Sequence, residues 1–140
     1  MNLKNLLTII ISVILLTATL TIVYYSFFFV VKTESSNYSF SVQDIVGLVG
    51  DRDAIKFGGI MPGGIGSRFI SLRNTFDFPV KIKIKIKGEK SDWISVEENN
   101  FVLNPTNAKE IRVSVSVPLY AENNRFYNYT GIIKAYYTRI

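Results

Sequence analysis

The sequence predicts an all-β domain, a two-sheet sandwich of about seven short strands, held behind one membrane-spanning helix. Three observations predict it. Residues 6–31 form an unbroken apolar run without a charge. After Ser35 the pattern changes to short alternating stretches punctuated by Gly, Pro and Asn. Within these, residues 81–87 alternate strictly between lysine and isoleucine.

The apolar run exceeds the roughly 20 residues that cross a hydrocarbon core about 30 Å thick. A cleaved signal sequence has an apolar region of about 7–15 residues and ends in a small-x-small site. Here the run closes on Phe27-Phe28-Phe29-Val30-Val31 with no such site, so an uncleaved anchor is the preferred reading. Tyr24 and Tyr25 stand where an outer aromatic belt belongs. Lys4 and the terminal amine precede the run, while Lys32 and Glu34 follow it, which favours an inside N-terminus. The expected organisation is a short cytoplasmic N-terminus (1–5), a transmembrane helix in the bilayer (6–31), a juxtamembrane linker with the first strand (32–52), and the sandwich (53–140) outside the cell membrane.

Strands are expected near Tyr38–Val42, Ala54–Phe57, Arg68–Asn74 and Val80–Lys87, then Trp93–Val96 with Phe101–Leu103, Glu110–Val117 and Gly131–Arg139. In the fourth, period two sends Ile82, Ile84 and Ile86 to one face and Lys81, Lys83, Lys85 and Lys87 to the other. Ile111, Val113, Val115 and Val117 repeat the device, and Pro118 closes that strand. Trp93 is the expected central aromatic of the core, with Ile70 and Leu72 nearby. Sequons at Asn37-Tyr38-Ser39 and Asn128-Tyr129-Thr130 make Asn37 and Asn128 candidate glycosylation sites on an outer domain.

Composition narrows function. The chain has no cysteine and no histidine, which removes disulfides, thiolate nucleophiles, His-based acid/base chemistry and the usual zinc ligand sets. The glycine-rich run from Gly58 to Gly66 lacks the Lys-Ser/Thr and helix of a phosphate loop, so it reads as a turn. Asp44, Asp51 and Asp53 lack the dense spacing of a calcium loop. Glu89, Asp92, Glu97 and Glu98 fall in a turn region of a domain too small for a glycosidase cleft. No enzyme, cofactor or metal is expected. The net charge of +5 is modest and occurs in no block, so nucleic acid is not an expected partner. Scarce glutamine with abundant isoleucine fits a heat-adapted prokaryote, as AT-rich coding also would.

The spacing from Pro62-Gly63 through Leu72-Arg73-Asn74, Pro79-Val80, Trp93-Ile94 and Leu103-x-Pro105 to Val117-Pro118, closing on Tyr129-Thr130-Gly131-Ile132-Ile133, resembles prokaryotic surface immunoglobulin-like domains of the NEW3 and BACON types. That resemblance covers most of residues 53–140. It implies a binding or spacer module for a protein or surface glycan, with no catalytic residues to carry over. One sandwich behind an apolar helix also looks like small accessory subunits of archaeal motility and pilus filaments, although the prepilin processing signature is missing.

The candidate contact surface is the row Lys81, Lys83, Lys85 and Lys87, with Arg112 and Arg73, facing an anionic partner. A solvated face that deters edge pairing is the plainer reading of the same lysines and is preferred on sequence alone. Phe126, Tyr127, Tyr129, Tyr136 and Tyr137 are a second candidate surface, of which at least half are expected to be buried.

Overall fold

A computed structural model describes residues 2–43, 54–123 and 127–140; the side chains of residues 26–28 are outside the description. Asp44, Asp51, Asp53 and Phe126 lie outside the described residues.

Helix α1 spans Leu3–Phe28 and is exposed wherever its side chains are described. The apolar stretch Leu3–Tyr25 is long and apolar enough to cross a membrane, a test that a signal sequence also passes. Its length is about 35 Å at 1.5 Å per residue. Its hydroxyls turn back onto the helix: Thr8 donates to the Lys4 carbonyl, Ser12 to Thr8, Thr17 to Val13 and Thr21 to Thr17, at 2.8–3.0 Å. These four hydroxyls therefore have their acceptors within the helix itself.

Eight strands follow among the described residues: β1 (Val30–Val42), β2 (Ala54–Ile60), β3 (Ile65–Arg73), β4 (Val80–Gly88), β5 (Ile94–Val96), β6 (Phe101–Leu103), β7 (Ala108–Ser116) and β8 (Tyr129–Arg139). One sheet has the order β2-β1-β8-β4-β6 and the other β3-β7-β5. β1 runs parallel to β2 and antiparallel to β8, and the remaining pairs are antiparallel. The all-β class expected for the domain is what the chain adopts.

Both sheets contribute to one core. Tyr38, Phe40 and Val42 of β1, Ile82 of β4 and Tyr137 of β8 meet Ile111, Val113 and Val115 of β7, all within 1 % of full burial. Period two explains the choice on β4 and β7, because isoleucine and valine occupy every buried position. Truncating one such residue costs roughly 2–5 kcal/mol.

Four expectations need correction. The run 6–31 is not all helix: Val30 and Val31 belong to β1, where Val30 pairs with Thr138. Residues 32–37, placed in a linker, are strand as well. They carry no apolar alternation because both faces are polar there. Thr33, Ser35 and Asn37 are exposed, and the inward Lys32 and Glu34 form an ion pair at 2.5 Å near Tyr137. The Trp93–Val96 and Phe101–Leu103 stretches, taken as one strand, are β5 and β6 and lie in different sheets. Trp93 is half-buried at the end of a 3-10 turn, against Phe40 and Tyr129, while Tyr38, Phe40 and Tyr137 fill the centre.

Candidate functional site: a basic sheet face

The outward side of the five-stranded sheet is set by register. Reading across β1, β8 and β4, one row is Thr33, Tyr136 and Lys83; the next is Ser35, Lys134 and Lys85; the third is Asn37, Ile132 and Lys87. Lys81 stands opposite Thr138 on the same face. Successive lysines on β4 are about 6.6 Å apart along the strand, so the column from Lys81 to Lys87 is about 20 Å long. All four are exposed and Lys134 is half-exposed.

Among the described residues, no carboxylate shares these rows. Glu34 faces inward, Asp77 and Glu89 lie in connections before and after β4, and Glu98 pairs with Lys109 at 2.5 Å. Lys85 and Lys134 are directly opposed across the ladder, an arrangement of like charges that destabilises a sheet. The ring of Tyr136 offers Lys85 partial compensation, with Nζ 5.5 Å from its centroid. A merely solubilising face would intersperse both signs. The other sheet does so: Arg112 and Glu110 alternate on the outside of β7.

Of the residues singled out from sequence, the structure brings Lys81, Lys83, Lys85 and Lys87 onto one face and leaves Arg112 off it. Arg112 lies on the opposite sheet, with its guanidinium 5.3 Å from the Phe69 ring on β3. Arg73 is likewise on β3. Sequence reasoning missed Lys134, since its neighbours Ile133 and Ala135 conceal that it lines up with Lys85. Asn37 is exposed in the third row, beside Ile132, and Asn128 is exposed just before β8.

The C-terminal aromatics do not form one surface. Tyr137 is fully buried, Tyr129 and Tyr136 are half-buried, and Tyr127 is exposed. Tyr127 donates to Glu89 at 2.5 Å, which with the Thr130 amide holds the Glu89 carboxyl below its usual range. Sequence reasoning also missed an apolar patch at the end of the domain far from α1. Met61, Ile65, Leu119 and Tyr120 are exposed there, held by bonds between Gly63, Gly64 and Val117.

At the α1 end, Tyr137 donates to Glu34 at 2.8 Å. Burial, then that bond and the Glu34 charge, push the Tyr137 hydroxyl well above its ordinary 10.0. A raised folded-state value means that this contribution to stability is complete below about pH 10 and lost as pH rises further. Unfolding titrations are expected to show an alkaline decline above pH 10 that is shallower in Tyr137→Phe; equal declines would contradict the assignment.

Comparison with protein-family models, curated proteins and solved structures finds no match, so the site rests on its own geometry.

Proposed function

We propose that the chain is a membrane-anchored, non-catalytic interaction module that holds an immunoglobulin-like sandwich outside the cell membrane and engages an anionic surface polymer through its basic sheet face. The observation that carries the reading is the alignment of Lys81, Lys83, Lys85, Lys87 and Lys134 on one face without a carboxylate among the described residues. A single-sign face with cations about 6.6 Å apart along β4 suits a linear polyanion such as an acidic glycan. The test is salt-dependent binding of an acidic polysaccharide to the full chain in neutral vesicles. Binding at low ionic strength that weakens as the Debye length falls below 10 Å supports it; no binding at low ionic strength counts against it.

A second reading has its own support. Only Phe29 separates α1 from β1, and β1 lies inside its sheet between β2 and β8, so the helix is joined directly to the folded domain. That construction suits an accessory subunit of a surface filament or motility assembly, whose neighbours need a fixed domain orientation. A flexible Gly-Ser insertion between Phe29 and Val30 separates the two: polymer binding is expected to survive it, whereas a structural subunit would lose assembly.

A further inference from the structure

The end of the β-domain nearest α1 has a built surface beyond the junction itself. Val30 pairs with Thr138, Thr138 with Lys81, and Arg139 with Val80, while the Ile140 amide donates to the Pro79 carbonyl. The loop 74–79 therefore stands at the same end as the start of β1, two strand spacings or about 10 Å across the sheet. The loop is held from within. Asn74 is fully buried, donates to the carbonyls of Phe78 (2.8 Å) and Leu103 (3.0 Å), and accepts from the Phe76 amide (3.0 Å). Its half-buried rings, Phe76 and Phe78, stack at 5.0 Å, and the Arg139 guanidinium lies 4.4 Å from the Phe78 centroid. Arg73 and Lys81 are exposed at the same end, with Asp77 the one exposed carboxylate of the loop.

We propose that this end of the domain is a lipid-binding rim, with the Phe76–Phe78 loop seated among headgroups and Arg73, Lys81 and Arg139 facing an anionic leaflet. The inference rests on reading α1 as an anchor. Continuity then identifies the occupant: α1 and β1 share one backbone, and Phe29 and Val30 at their junction are exposed and apolar. The offset of about 10 Å runs across the strands, so with the strands rising from the bilayer the loop stands at the level of Val30, in a headgroup layer roughly 5–7 Å deep on each side. Aromatic rings favour that layer, and the excess of cations suits acidic lipid.

The chain has no cysteine, so single spin labels can be placed at will. Labels at Thr75→Cys on the loop, Tyr120→Cys at the far end and Thr19→Cys in α1 are compared in the full chain. It is reconstituted in phosphatidylcholine–phosphatidylglycerol nanodiscs at one chain per disc. The expected result is a collision rate with an aqueous nickel chelate at least threefold lower at residue 75 than at residue 120, with residue 19 fully shielded. Equal rates at residues 75 and 120, with residue 19 shielded, overturn the rim and leave the anchor standing. Exposure of residue 19 removes the anchor and the rim together. Shielding of residue 75 that appears only with several chains per disc overturns the rim in favour of a contact between chains.

Discussion

Gly131→Ala is expected to destabilise the β-domain by about 3 kcal/mol, although it adds a single methyl group. Gly131 lies on β8 between β1 and β4, opposite Tyr38 on one side and Gly88 on the other. A Cβ there would stand 2.4 Å from the Lys87 carbonyl oxygen and 2.4 Å from both Cζ and the hydroxyl of Tyr38. The first neighbour is backbone and does not yield. The second is a ring at 1 % exposure whose hydroxyl donates to the Glu89 carbonyl at 2.9 Å. Tyr38 occupies the space that Gly131 leaves empty, so the methyl group displaces the ring, breaks that bond and disturbs the stack of Tyr38 on Phe40 at 6.4 Å. Against a total stability of 5–15 kcal/mol for a typical domain, the loss is large. Thermal unfolding of the full chain in detergent, followed by near-ultraviolet circular dichroism, is expected to move down by roughly 10–20 °C. A shift below about 3 °C would mean that β8 and β1 separate without cost, contrary to the packing described.

Converting Lys83, Lys85 and Lys87 together to glutamine is expected to weaken binding of an acidic polysaccharide by roughly 10- to 100-fold at low ionic strength. The figure assumes about 0.5–1 kcal/mol per exposed cation and 1.4 kcal/mol per tenfold change. Folding should not suffer, since the three side chains are exposed and Lys85→Gln relieves the opposition to Lys134. Arg112→Gln removes one positive charge from the other sheet, so it is the control for a single lysine change such as Lys85→Gln and is expected to leave binding unchanged. If Arg112→Gln weakened binding as much as a single lysine change, net charge would be the cause and the face would have no particular role.

The fold was legible where one face of a strand is apolar and the other polar. β4 and β7 declared themselves because each buried position is isoleucine or valine and most outward positions are charged or hydroxylated. The start of β1 was illegible for the opposite reason. Its inward Lys32 and Glu34 satisfy each other and the Tyr137 hydroxyl, so no hydrophobic period marks the strand. Trp93 misled because size suggests centrality, yet it covers the end of the core, where Lys90 stacks on it at 4.8 Å. The lysine column could be read from one strand alone. Its extension by Lys134, and the exclusion of Arg112, depend on which strands are neighbours, and local spacing in the sequence does not encode that.

Lysine acylation of right-side-out vesicles by a membrane-impermeant reagent, after a high-salt wash and with sites mapped by mass spectrometry, reads the topology of the chain and the openness of its basic face together. An anchored outer domain with an open basic face predicts modification of Lys83, Lys85, Lys87 and Lys134 while Lys4, before α1, is spared. Modification of Lys4 with the sheet lysines spared would invert the topology and remove the surface polymer as partner.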